Sequence, residues 1–336
     1  MSATAPLPQH IHSTGQLPKV AWAKGSYVHD VDGKRYIDGS GGPAVYCIGH
    51  SNEEVNDAIR QQLDRIAHGY RYNFTSDALE ELTDIIRQRC GGTLNHMVYV
   101  TGGSEAVESC LKLALQYHAA RGEMSRRRFI ARERSWHGNT LGALSVSGFL
   151  ERKKAFEGSL LDVSRLSPAN AYRPVDGATA ETAGEACARE LEDEILRVGP
   201  EKVCAFIFEP VVGAAGGCVP APPGYAKRVR EICDRHGVLM IADEVMCGAG
   251  RVGAEQIESI AGAEALRDLR HVRIEMSDVV LAHREDRPPV RCTQGDPHLG
   301  DERRLLVEIG RVEREQLLEL VEHETHARRT IVGVRH

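Results

Sequence analysis

Short apolar runs alternate with amphipathic stretches through the middle of the chain, and this alternation limits the fold more than any other feature. HMVYV at 96–100 leads through TGGSEAVE into a helical stretch ending near Gly122. RRRFIARE leads through SWHGNT into LGALSVSG. Residues 159–185 read as irregular, and 186–198 as a helix. VCAFIF then reads as a buried strand ending at Glu209, and PPGYAKRVREICDRHG as a helix with Pro at its start and Gly237 at its end. VLMIADE is the next strand. Strands separated by helices need crossover connections, so the expected fold class is α/β with a mainly parallel sheet. Ligand chemistry then belongs at the carboxyl ends of the strands.

The flanks read differently. Residues 1–24 look like a mobile arm with Pro and Gly. SYVHDVDGKRYIDGS predicts a hairpin with Asp32-Gly33 at the turn. Val55, Ile59, Leu63 and Ile66 have helical spacing after a cap at Ser51 or Asn52, and a second helix is expected over Asp77 to Arg89. From about 254 the chain has no Phe, Tyr, Trp or Lys. There DERRLLVEIGRVEREQLLELVEHE predicts a helix, and the rest has few strand signals. Formal net charge is −6, with no basic stripe, which argues against nucleic acid. No apolar run reaches the ~18 residues of a spanning helix, and MSATAPLPQHIHSTGQ lacks the pattern of a secretory signal. The nine cysteines form no C-x-x-C pair, so no metal site is indicated and reduced thiols in a cytoplasmic protein are expected.

Three strand ends carry candidate chemistry. Gly102, Gly103 and Ser104 open a helix whose free N–H groups suit a phosphate; an ordinary glycine turn capped by Ser104 is the plain alternative. Trp136 and His137 precede a helix, where an indole can stack on a flat ring or simply pack at the surface. Asp243 closes a buried strand and needs a partner, either a protonated ring nitrogen or the nearby Arg251. Glu209 is placed similarly and suits a ligand or the loop backbone equally. In combination these residues suit one ligand with a phosphate at one end and a protonated pyridine ring at the other.

DVDGKRYIDGSGG, IGH, TGGSEAVESCLKLA, SWHG, FEPVVGAAGGCVPAPPGYAKRVREICDRHG and IADEVMCGAGRVG occur in the order found in class III aminotransferases. Over roughly residues 18 to 253 the chain resembles that family of pyridoxal-phosphate enzymes. The resemblance implies a fold-type I, aspartate-aminotransferase-like large domain, incomplete here, with an N-terminal hairpin of the small domain. It divides the chain into an arm and hairpin (1–45), a cofactor-binding domain (46–253) and an atypical tail (254–336). It implies that Gly103 and Ser104 hold the cofactor phosphate and that Trp136, accompanied by His137, stacks on the ring. Asp243 would pair with the ring nitrogen, and Val245 would pack on the opposite face. Tyr46 and Glu209 fall at substrate-facing positions. Met246 stands where many members have Gln. The implied partners are an amino donor, a 2-oxo acid acceptor and a second subunit of a homodimer.

The resemblance also implies a lysine that forms a Schiff base with the cofactor, some tens of residues after the Asp. The last lysine here is Lys227, and the expected place reads LRHVRIEMSDVV. No catalytic residue can therefore be named. Arginine, always protonated, is no substitute. The family's later Thr and its substrate-binding Arg have no match either. A shift of reading frame or a truncation of the gene after Gly253 would produce such a tail; a genuine divergent tail is the plain alternative. The functional expectation is an aminotransferase impaired by the missing lysine. The alternatives are a non-catalytic cofactor-binding or dimerisation partner, or an inactive fragment.

Overall fold

The computed structural model describes residues 17–44, 46–90, 96–175, 177–249, 251–252 and, as backbone, 272–274. Contacts divide the chain after Gly69 into two units. In the first, β1 (Val20–Lys24), β2 (Tyr27–Asp30) and β3 (Arg35–Ile37) form an antiparallel sheet in that order. The hairpin turns at Asp32-Gly33, because Asp30 Oδ1 accepts from Asp32 N (3.0 Å) and Lys34 N (2.8 Å) while Oδ2 accepts from the Tyr36 hydroxyl (2.7 Å). β1 lies in the stretch expected to be a mobile arm; pairing with β2 orders it. A single turn, α1 (Gly41–Ala44), follows, and then α2 (Glu53–Arg65), capped by Asn52, whose side chain accepts from Val55 N.

The second unit begins with α3 (Asp77–Arg89), capped by Ser76, with the bounds expected from sequence. Its sheet has the order β10-β9-β6-β4-β5, and every pairing is parallel. The strands are β4 (Arg128–Arg132), β5 (Val163–Leu166), β6 (Val203–Phe208), β9 (Leu239–Asp243) and β10 (Val272–Ile274). A two-residue ribbon, β7 (Val211–Val212) with β8 (Val219–Pro220), lies between β6 and β9 in sequence. The helices are α4 (Gly103–Ala120), α5 (Leu141–Val146), α6 (Leu150–Lys153), α7 (Ala183–Val198) and α8 (Tyr225–His236).

Consecutive strand residues face opposite sides of the sheet, and both sides are dry. Phe206, Phe208, Met240 and Ala242 join Leu191, Ile195, Val229 and Ile232 of α7 and α8 in one core. Ala205, Ile207, Leu239 and Ile241 join Val107, Leu111 and Ala114 of α4 in the other. The same alternation aims Asp243 towards the α4 side.

Three expectations need correction. Residues 96–100 bury Met97 and Tyr99 in the alternation of a strand but form no ladder, since no described strand runs beside them. The stretch expected to be irregular contains β5, four residues whose Ser164 and Arg165 hide the pattern and which pairing with β4 makes a strand. The tail, where few strand signals were found, contributes β10, which satisfies the backbone edge of β9. The helix expected at 301–324, like the rest of the tail and residues 1–16, lies outside the described residues.

Candidate functional site

β5 and β6 leave β4 on opposite sides, so the order of the sheet reverses there. At the carboxyl end of such a switch the two connections diverge and leave a crevice. The loop following β4, Ser135 to Asn139, crosses this end and bonds in turn to three separate elements. Trp136 N donates to Glu209 Oε2 (3.0 Å) just beyond β6. His137 Nδ1 lies 2.8 Å from Asp243 Oδ2 at the end of β9. Asn139 N donates to Ser104 Oγ (2.9 Å) in the first turn of α4. The middle of this loop passes so close to α4 that only glycine fits: Gly138 has φ +135°, and an added Cβ would stand 2.6 Å from Ser104 Oγ. Ser104, Trp136, His137, Glu209 and Asp243, separated by up to 139 positions in sequence, are thereby tied to one loop.

Asp243 is buried, and its anionic partner requirement is met within the protein by His137 rather than by Arg251. Its other oxygen accepts from Val245 N (3.1 Å), which also holds Val245 beside the α4-side core. A carboxylate only accepts, so His137 carries its proton on Nδ1. His137 Nε2 and Thr140 Oγ1, both buried, have no hydrogen-bond partner among the described residues. Met246 packs against Gly213. Tyr46 belongs to the other unit, where it is exposed with its ring beside His50. Trp136 is half-buried, with the Arg152 guanidinium 4.6 Å from its ring centre and Phe149 meeting it edge-on.

Glu209 accepts from Trp136 N and from Gly213 N (3.1 Å), the backbone role that its sequence position left open. Burial pushes its carboxyl up to about 7; the neighbouring His137 opposes this and Asp243 adds to it. Its ordinary value is 4.5. Between these values the native protein keeps a proton that the unfolded chain has released. Stability therefore falls as pH rises through this window and stays lower above it. Glu209→Gln removes the effect, and the fall from pH 4.5 to 7 should shrink by up to roughly 3 kcal/mol. Urea unfolding at a series of pH values measures it, and an undiminished fall would exclude Glu209 as its source.

The residues present suit a phosphorylated pyridine in two respects. Gly102, the N-cap of α4, offers no side chain to the first-turn N–H groups, and an added Cβ there meets no atom within 4 Å. At the sheet end, the Asp243–His137 pair provides a buried anion braced by an imidazole with one unmatched nitrogen. Glu105 turns back to bind Thr101 N (2.8 Å) and the Thr101 hydroxyl, which fixes the strand-to-helix turn. An imine-forming amine is not provided. Lys153 is the buried lysine, its amine donating to Ser145 O and Ser147 O, and the other lysines are exposed. Sequence reading missed Ser147, which accepts from His137 N, and Glu108 and Lys153, which bond to the two ends of α5; the four-residue spacing of Ser104 and Glu108 on one helix was the available signal.

Residues 12–260 match the family model described as aminotransferase class-III. The chain is 42% identical over 236 residues to an uncharacterised aminotransferase of Bacillus subtilis, covering 70% of this chain and 53% of that one. It is 36% identical to an adenosylmethionine-8-amino-7-oxononanoate aminotransferase of Nitratidesulfovibrio vulgaris, covering 69% and 43%. Among solved structures it resembles a PLP-bound amine transaminase from an uncultivated Pseudomonas species, with TM-score 0.68, 33% identity, and 76% and 59% coverage. An (S)-enantioselective omega-transaminase of Thermomicrobium roseum gives TM-score 0.70, 32% identity, and 75% and 58% coverage. The chain spans about half the length of the curated relatives it matches.

Proposed function

Since the chain belongs to the class III aminotransferase family, with its fold-type I architecture, we propose that its second unit binds pyridoxal phosphate and descends from an enzyme that passes an amino group from an amino donor to a 2-oxo acid. The observation that carries this reading is the Ser135–Asn139 loop, which joins Ser104, His137 and Asp243 into one cluster. Gly103 and Ser104 hold the phosphate on the α4 N-terminus, and the Ser104 hydroxyl, already accepting from Asn139, has its proton free to donate. Trp136 and Val245 bracket the ring. Asp243, oriented by His137, keeps the ring nitrogen protonated. When bound, pyridoxal phosphate supplies an electron-accepting ring and a carbonyl that takes up the amino group. Glu209 faces the substrate. A homodimer and a cytoplasmic location accompany the reading; among the described residues no helix is long and apolar enough to cross a membrane.

The absence of any lysine after Lys227 supports a second form of the proposal, a cofactor-binding protein with impaired or no turnover that pairs with an intact relative. In both forms Asp243→Asn weakens pyridoxal phosphate binding at least about tenfold. The amide keeps the bond to His137 but not the charge that holds a pyridinium, and loss of a buried charge partner typically costs 2 kcal/mol or more, roughly thirtyfold. Quenching of Trp136 fluorescence in a Trp22→Phe background gives the affinity. Equal affinities in parent and variant would remove Asp243 from the site.

A further inference from the structure

The loop bearing Trp136 and His137 runs directly into α5, a helix of only six residues. Alone, so short a helix does not form. Both of its ends meet a side chain of complementary charge. At the amino end, Glu108 of α4 accepts from Gly142 N (2.7 Å) and Ala143 N (3.3 Å). The approach is so close that a Cβ on Gly142 would overlap the Glu108 carboxylate. At the carboxyl end, the buried Lys153 of α6 donates from Nζ to Ser145 O and Ser147 O, both at 2.7 Å. Arg165 of β5 also reaches Ser145 O, at 3.5 Å. Anion at the start and cations at the end match the partial charges of the helix termini.

The carboxyl end of α5 returns to the site. Ser147 Oγ donates to Ala143 O (2.8 Å) and accepts from His137 N (2.9 Å). The backbone of His137 is therefore fixed by the last turn of α5, and its ring by Asp243. We propose that Glu108 and Lys153 are positioning residues, a pair of opposite charges that clamps α5 at its two ends and thereby sets Trp136 and His137 against Asp243. Neither side chain touches the cofactor in this account; each acts through the helix between them. For its ligand arm the inference rests on the proposed binding of pyridoxal phosphate.

The test uses the full chain carrying Trp22→Phe, so that Trp136 is the sole indole. Glu108→Gln, Lys153→Met and, as a control on the exposed neighbour, Lys154→Met are compared with this parent. Two readouts need no cofactor: the imidazole Nδ1 proton resonance of His137, assigned by its loss in His137→Gln, and the fluorescence anisotropy of Trp136. Titration with pyridoxal phosphate is the third. With the clamp, Glu108→Gln and Lys153→Met each broaden or abolish the His137 resonance, lower the Trp136 anisotropy and weaken cofactor binding by roughly ten- to a hundredfold. Lys154→Met changes none of these. Folded Glu108→Gln and Lys153→Met proteins that keep the parent's resonance and anisotropy would overturn the proposal and leave both residues with a merely local packing role. Should Lys153→Met not fold, Glu108→Gln decides alone, since Glu108 is half-buried and the amide oxygen can still accept from Gly142 N and Ala143 N while the negative charge is removed. A parent that binds no pyridoxal phosphate refutes the proposed function, while the two cofactor-free readouts still decide the clamp.

Discussion

Supplied with pyridoxal phosphate, an amino donor and pyruvate, this chain is expected to turn over at least ~10²–10⁴-fold more slowly than a lysine-bearing class III aminotransferase assayed beside it. Amino transfer requires a base that removes one proton at the amine-bearing carbon and a conjugate acid that returns it. The candidate groups around the loop are already committed. Asp243 is bonded to His137 and Val245 N, Glu209 to the backbone N–H groups of Trp136 and Gly213, and Lys153 to two carbonyls of the α5 end. Glu209, with its carboxyl pushed up to about 7, is partly protonated near neutrality, and both its oxygens already accept from those N–H groups. Binding of the cofactor is expected to survive, because the groups proposed to hold its phosphate and ring, Ser104, Trp136 and Asp243, are all present in the chain. Borohydride treatment in the presence of cofactor, followed by peptide mapping, distinguishes the cases. Turnover at an ordinary enzymatic rate with the label on one lysine would identify a base and amine that this account does not contain.

The largest loss of stability from a single substitution is expected at Arg132, the last residue of β4. Its buried guanidinium donates to Tyr225 Oη (2.7 Å), Glu190 Oε2 (2.8 Å), and the carbonyls of Ser167 and Cys187 (both 2.5 Å). It also lies over the rings of Phe206 and Tyr225. Four elements, β4, α7, α8 and the segment after β5, thus depend on one cation. Arg132→Met keeps the apolar stem but leaves the Glu190 carboxylate and two carbonyls without their donor. Breaking a fully buried pair costs about 3–5 kcal/mol; with Arg132 buried and Glu190 30% exposed, a loss towards the lower end, about 3 kcal/mol, is expected, still a large part of the ~5–15 kcal/mol that holds a typical domain together. Urea denaturation monitored by circular dichroism should show it, and Arg132→Met/Glu190→Gln should recover part of the loss. A variant within ~1 kcal/mol of the parent would show that the network contributes little.

Much of the fold could be read from local pattern. α3 occupies Asp77–Arg89 as its cap and spacing require, and β6 and β9 lie on the runs of Val, Ile, Leu, Met and Phe that a doubly covered strand needs. Where local pattern failed, the deciding contacts came from distant segments. VSRL has no strand signature and becomes β5 only beside β4. MVYV has the signature and forms no ladder, because a strand is a relation between segments rather than a property of one.

The site divides along the same line. Sequence alone determined which chemistry is present and which is missing: a glycine-opened helix, a strand-end carboxylate, an indole before a helix, and no lysine beyond Lys227. It could not determine what Asp243 pairs with. Arg251, eight positions away, was the nearer choice along the chain, and the structure instead brings His137 across 106 positions. Parallel strands connected by crossovers place residues from far apart on one carboxyl edge, and α4 and α5 pack against each other and bond to the loop that crosses it. That packing belongs to the tertiary structure alone, because a buried charge takes its partner from whatever the fold sets within 3 Å of it, whatever the distance in sequence.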